Sequence, residues 1–141
     1  MVRKHELPLG GRTLRYTTTT GLMPIRAARS GETEAHIFYI AYTLDGVTDP
    51  SKRRLLFSFN GGPGSASVWL QLRALGPKRV AVHDDGTMPQ APYVVEDNPL
   101  TWLEHFDLVF IDPPHTGFSI AANDEARKRL LSVDGDVEAM S

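Results

Sequence analysis

Leu55-Leu56-Phe57-Ser58-Phe59-Asn60 runs straight into Gly61-Gly62-Pro63-Gly64-Ser65-Ala66-Ser67, and this junction restricts the fold more than any other stretch. Four of the five positions from 55 to 59 are apolar, the pattern of a central strand buried on both faces. Gly61, Gly62 and Gly64 then remove three Cβ atoms from one bend, so the backbone can take positive φ and approach a ligand closely. Pro63 sets φ inside the bend and carries no N–H, which leaves the donors to the glycines around it. Apolar spacing predicts a helix over 67–75, with Val68, Leu72 and Leu75 in one stripe, Trp69 beside it and Gly76-Pro77 as the stop. Ser65 or Ser67 is expected to cap it. Free N–H groups at such a helix start hold negative charge.

Upstream of the junction, residues 12–17 alternate, with Leu14 and Tyr16 on one face, as in a half-exposed strand. Gly21 is expected to break it, with a paired strand following over 23–28. Residues 34–44 are rich in β-branched and aromatic side chains and read as another strand. His36 within it is a strand histidine, since no second ligand sits at metal spacing. Lys52-Arg53-Arg54 reads as a solvated lead-in to the strand at 55–59.

Downstream, residues 79–82 form a short strand and Asp84-Asp85-Gly86 a turn. Residues 87–101 are loop-like, with Asn98-Pro99 and Trp102 as a buried anchor. A second buried strand covers 108–111 and ends at Asp112-Pro113-Pro114. Residues 121–131 are helical in composition, with acidic residues early and basic ones late, as the helix dipole favours. Ser132 or Asp134 is placed to cap a further helix beginning at Val137. The order predicts an α/β class: strands, a buried strand, the Gly loop, a helix, then another buried strand.

The 141 residues are enough for one domain with a core. Net charge is −2, from 15 basic and 17 acidic residues, which argues against nucleic acid or an anionic membrane as the partner. No apolar run reaches the roughly 18 residues of a membrane span. There are no cysteines, so disulfides and thiolate metal sites are excluded within this chain. No metal-ligating pattern and no cofactor motif is present. The Gly loop lacks the Gly-Lys-Ser/Thr ending of a phosphate-binding P-loop, and the first lysine after it is Lys78.

An acyl-transfer site needs a nucleophile, a base, an orienting acid and an oxyanion hole. No G-x-S-x-G elbow occurs. Gly117-Phe118-Ser119-Ile120-Ala121 is nearest, but residues 113–116 separate it from the strand end. Ser119 is therefore not read as a nucleophile, and His115, four residues before it, is read as structural or solvent-facing.

The blocks Asn60-Gly61-Gly62-Pro63-Gly64-Ser65-Ala66-Ser67, Leu75-Gly76-Pro77, Asn98-Pro99-Leu100-Thr101-Trp102, Asp112-Pro113 and Thr116-Gly117-Phe118-Ser119 together resemble the serine carboxypeptidase family, in its order and approximate spacing. The resemblance runs from about residue 38 to the C-terminus. It implies an incomplete α/β-hydrolase sheet: N-terminal strands, oxyanion loop and first helix. Residues 1–141 would be the N-terminal portion of a single such domain, ending before the nucleophile elbow, with serine, aspartate and histidine all further on. The implied activity is hydrolysis of C-terminal peptide bonds through an acyl-enzyme, on a peptide substrate.

Carried over residue by residue, Gly62 matches the donor of one oxyanion-hole N–H, with Gly61 beside it, and Asn60 matches the asparagine that binds the substrate's terminal carboxylate. Ser58 stands where the family has tryptophan, Ala74 where it has glutamate, His115 where it often has glycine, and Ser65 where it can have cysteine. The scaffold is thus better supported than the specificity. Two other readings stay open: an α/β hydrolase of the proline iminopeptidase type, which also carries HGGPG loops, and a catalytically silent binding domain. Asn60 in place of that histidine, with the block at 98–102, favours the carboxypeptidase side.

Overall fold

Eight strands and three short helices follow one another along the chain, in a computed structural model that describes residues 1–61 and 64–140. Strand β1 (Val2–Leu9) pairs antiparallel with β2 (Arg12–Arg26), and β2 pairs antiparallel with β3 (Thr33–Leu44). Beyond the turn at Pro50–Lys52 comes β4 (Arg54–Phe59). Helix α1 (Val68–Leu70) runs on into a π-helical turn, Gln71–Leu75. Strands β5 (Lys78–Val80) and β6 (Val95–Asp97) make a separate two-stranded ribbon. Strand β7 (Phe106–Ile111) and the short β8 (Ile120–Ala121) precede helices α2 (Asp124–Leu130) and α3 (Val133–Met140).

The main sheet has the order β1-β2-β3-β7-β4, with β8 also on β3. It is mixed: β4 runs parallel to β7, and the other neighbours are antiparallel. The α/β class therefore holds.

Several local expectations need correction. Gly21 does not break β2. It lies opposite Tyr39 in the ladder, where an added Cβ would come within 3.0 Å of the Tyr39 ring, so the glycine makes room for the ring across the strands. Residues 2–9 and 95–97 are strands that the sequence pattern did not reveal, because both gain their ladder bonds from a partner strand and neither carries a strong apolar period. Trp102 is not a buried anchor: it is 47% exposed and stacks on Phe106, while Leu103 beside it is fully buried. Helix α3 begins at Val133, four residues before the expected start, and the Ser132 hydroxyl accepts the Gly135 N–H at 3.1 Å, as one of the two anticipated caps.

The Lys52-Arg53-Arg54 lead-in is not uniformly solvated. Arg53 Nε donates to Asp107 Oδ1 at 3.0 Å, and its other nitrogens donate to the Leu103 and Glu104 carbonyls at 2.7 and 3.2 Å. Asp107 Oδ1 also accepts the Leu44 N–H at 3.0 Å, so one ion pair ties β3, β4 and β7 together at one end of the sheet.

Strand parity divides the core into two faces. Leu14, Tyr16, Tyr42, Leu108 and Phe110 form a buried cluster with Leu7 and Leu103, and Leu56, Leu70 and Leu75 pack against it. On the opposite face Ala35 and Ile37 pack on Leu130 and Ala139 of the two C-terminal helices. That second cover is partial. Phe57, Leu22 and Met23 line an open apolar groove of about 410 Å³ with Tyr39, Val109 and Ile111. The strand expected to be central, β4, is the sheet's edge here, with Leu55, Phe57 and Phe59 all more than half exposed.

Candidate functional site

The Gly loop leaves the C-terminal end of β4, beside the end of its parallel neighbour β7. Ends of adjacent parallel strands are where such sheets present binding groups. Asn60 organises the near side of the loop. Its Oδ1 accepts the Gly61 N–H at 3.0 Å, and its Nδ2 donates to Ser65 Oγ at 3.2 Å and to the Ala66 carbonyl at 3.5 Å. The Gly61 N–H is thereby engaged inside the loop. Gly64 has φ +96°, a conformation that explains glycine at that position. Among the described residues, an added Cβ at Gly61 or Gly64 would meet nothing within 4 Å. Gly62, on which the expected oxyanion donor falls, and Pro63 lie outside the described residues.

Ser67 begins α1, but its side chain makes no capping bond. Its hydroxyl instead donates to the Ile111 carbonyl and accepts the Asn60 N–H at 3.3 Å. The expected cap is thus a cross-link between the loop and β7. A carbonyl at a strand end with no further strand partner is the better acceptor for a hydroxyl that burial has cut off from water.

The other wall of the site is the turn after β7. Asp112 is 6% exposed, and its carboxylate accepts two backbone N–H groups: Ser67 to Oδ1 at 2.9 Å and Phe118 to Oδ2 at 3.1 Å. Such charge-assisted bonds satisfy a carboxylate that would otherwise be costly to bury. Gly117 has φ +51°, and a Cβ there would overlap Asp112 Oδ2, so this turn is wrapped around the carboxylate. Thr116 closes it, donating from both N and Oγ1 to the Pro113 carbonyl at 3.1 and 2.9 Å.

Ser119 is 4% exposed; its hydroxyl donates to the Asp112 carbonyl at 2.7 Å and accepts the Phe38 N–H at 2.8 Å. A hydroxyl held at both ends by the backbone has neither base nor substrate access, in keeping with the sequence reading that Ser119 is not a nucleophile. His115 takes φ +63°, and among the described residues its buried Nε2 has no hydrogen-bond partner, so it is not paired with Ser119. The imidazole points inward, not to solvent.

Behind the loop, the π-helical turn is held by the block at 98–102. Gly76 N–H bonds to the Gln71 carbonyl at 3.0 Å, and a Cβ on Gly76 would overlap that oxygen. Asn98 Nδ2 donates to the carbonyls of Ala74 and Gly76 at 3.1 and 2.8 Å, and Thr101 Oγ1 to that of Leu75 at 2.9 Å. These are the orphan carbonyls of a helix end. The blocks at 75–77 and 98–102 therefore form one hydrogen-bonded unit around the end of the π-helical turn, and those at 60–67 and 112–119 form another, the assembly at the C-terminal ends of β4 and β7.

What sequence reasoning missed is Asp112 as the hub of that assembly. The available signal was an acidic residue ending an apolar strand and facing a Gly loop. Its partners, 45 residues upstream and six downstream, could not be paired from spacing alone.

Comparison with known proteins identifies the family. The sequence pattern described as serine carboxypeptidase matches residues 9–137. The pheromone-processing carboxypeptidase KEX1 of Coprinopsis cinerea is 32% identical over 102 residues, which is 72% of this chain and 15% of that protein. The serine carboxypeptidase-like 50 protein of Arabidopsis thaliana is 33% identical over 110 residues, 77% of this chain and 22% of that one. The crystal structure of Kex1(Δ)p, a prohormone-processing carboxypeptidase from Saccharomyces cerevisiae, superposes with a TM-score of 0.58 at 30% identity, over 79% of this chain and 22% of that one. The chain thus spans less than a quarter of the length of these relatives, and its mixed sheet is part of an α/β-hydrolase fold. It belongs to the serine carboxypeptidase family.

Proposed function

We infer that residues 1–141 are the N-terminal portion of a single α/β-hydrolase domain whose whole protein is a serine-type carboxypeptidase. In this reading Gly62 donates its N–H to the oxyanion of the tetrahedral intermediate, and Gly61 leaves the approach to it free of a Cβ. The nucleophilic serine, its histidine and its aspartate belong to the portion of the relatives that this chain does not span. Acylation of that serine breaks the C-terminal peptide bond, releases the last residue as a free amino acid, and leaves an acyl-enzyme for water to hydrolyse. Asn60 binds the substrate's terminal carboxylate by turning an amide N–H from its loop partners to the ligand.

The observation that supports this reading best is that two of the family's separated sequence blocks, 60–67 and 112–119, meet in one hydrogen-bonded assembly at the ends of two parallel strands. Gly61's N–H is occupied by Asn60, which leaves the next amide along the loop as the candidate donor. Ser58 and Ala74, at two positions where the family has carboxylate-binding residues, point to weak discrimination for a free C-terminus.

The test uses the full-length protein on matched peptides with free and amidated C-termini. Faster release of the last residue from the free acid than from the amide supports the reading. Equal cleavage of both removes the carboxypeptidase activity and leaves the hydrolase. Gly62→Ala is expected to lower kcat by about 10²-fold with little change in KM; a normal kcat removes the oxyanion role.

A further inference from the structure

The glycines of the loop have no side chains with which to pack. Among the described residues, an added Cβ at Gly61 or Gly64 would meet nothing within 4 Å. Hydrogen bonds hold the loop instead: the Asn60 side chain ties it from within, and the bonds of Ser67 and the Asn60 N–H converge on two consecutive residues of the β7 end. Ile111 receives the Ser67 hydroxyl, and that hydroxyl in turn receives the Asn60 N–H at 3.3 Å. Asp112 receives the Ser67 N–H at 2.9 Å on one carboxylate oxygen and the Phe118 N–H at 3.1 Å on the other. Asp112 is itself held at both backbone groups: its N–H donates to the Phe38 carbonyl at 3.0 Å, and its carbonyl accepts the Ser119 hydroxyl at 2.7 Å. The described flanks of the loop, Asn60 before it and Ser67 after it, thus both hang from a rigid strand end.

We propose that Asp112, acting with Ser67, is a positioning residue that sets the Gly-loop backbone for its oxyanion donor. The proposal rests on the carboxypeptidase reading above. Asp112 touches neither substrate nor reacting atoms in this role; it acts through the loop. Geometry makes such a role consequential, because an oxyanion donor works over only about 2.7–3.1 Å. An asparagine at 112 would keep the shape and one acceptor, but its NH2 would face one of the two backbone N–H groups. One attraction would become donor against donor, and that flank would move away.

The experiment compares wild-type and Asp112→Asn full-length protein on a free-acid peptide, with active-site titration and a peptide boronate as a mimic of the tetrahedral intermediate. Expected are a kcat per titrated site lower by about tenfold or more, a KM within about twofold, and a boronate affinity lowered by the same factor as kcat. A merely structural role would reduce the titratable fraction while leaving kcat per site and boronate affinity at wild-type values, and that result overturns the proposal. If Asp112→Asn does not accumulate as folded protein, Ser67→Ala decides by the same readouts, since it removes the hydroxyl link but keeps the Ser67 N–H; a wild-type kcat per site again overturns it. Wild-type protein with no peptidase activity would remove the functional reading and the positioning role with it. An active wild type matched by Asp112→Asn would remove the positioning role alone.

Discussion

Gly117 illustrates how one missing Cβ supports a buried charge. Its φ of +51° lies in the left-handed region, and the space a side chain would need is filled by the Asp112 carboxylate. Gly117→Ala has to move that carboxylate off the Phe118 N–H or distort the turn, and it also strains the backbone. A loss of about 2 kcal/mol or more is expected, read as a lowered midpoint in denaturant unfolding of the full-length protein. Gly31→Ala serves as the control: its φ is also positive, +72°, but nothing lies within 4 Å of the added carbon. A loss at position 117 no larger than that at position 31 would mean that the carboxylate yields without cost. His115 shares the same turn and the same left-handed conformation without glycine's freedom, which stores strain beside the site.

Where strands meet, charge decides more than the run of basic residues before β4 suggests. Of Lys52, Arg53 and Arg54, only Arg53 reaches inward, with its side chain 11% exposed against 21% for Asp107. Removing one partner of a buried pair leaves the other uncompensated. Arg53→Ala is expected to cost about 3 kcal/mol, the low end for such pairs because Asp107 keeps some contact with water and with the Leu44 N–H. Lys52→Ala, whose partner Asp49 is a surface neighbour, is expected to leave the stability essentially unchanged. Equal effects in chemical denaturation would show that Arg53 is not the tie between β4 and β7. In the β1–β2–β3 layer the coupling runs through a phenol. Burial, with Tyr42 and Asp97 adding to it, pushes the Tyr16 hydroxyl up to about 12. The folded state holds that proton more tightly than the unfolded chain, whose tyrosines titrate near about 10. Its contribution is full below pH of about 10 and is lost as pH rises through about 12. Unfolding midpoints of the full-length protein should fall across that window, and Tyr16→Phe should flatten that part of the decline.

Taken together, the described residues make a sheet covered well on one face and poorly on the other. Leu55, Phe57 and Phe59 alternate with half-buried neighbours, so parity aims all three at the open face, and β4 offers an unpaired strand edge beside them. A long apolar edge of this kind pairs with other chains when nothing covers it. The 141-residue polypeptide expressed alone is expected to aggregate or to bind hydrophobic dyes in a loosely packed state. A sharp, cooperative thermal transition in a monomer would contradict this. The same polypeptide should resist a fluorophosphonate probe, because the Ser119 hydroxyl is occupied at both ends by backbone groups. Stoichiometric labelling at Ser119 would overturn that assignment and the family reading of where the nucleophile lies.

The chain's pattern was sufficient for the α/β class, the strands around 55–59 and 108–111, the Gly loop and the family, since apolar runs and glycine punctuation are local consequences of backbone sterics. It was sufficient, too, for the dipole-matched helix at Asp124–Leu130, whose acidic start and basic end are written in adjacent residues. Only the tertiary structure decided which strand forms the edge, that β2 passes through Gly21, that Arg53 turns inward, and that Ser67 ties a loop to β7 where a helix cap was expected. Each of these depends on what lies across a ladder or beyond a turn: Tyr39 opposite Gly21, Asp107 opposite Leu55, and Asp112 45 residues from the Ser67 N–H it accepts. Sequence spacing carries the period of a side chain along its own element. It does not carry the partner that burial and hydrogen bonding select once distant elements are brought together.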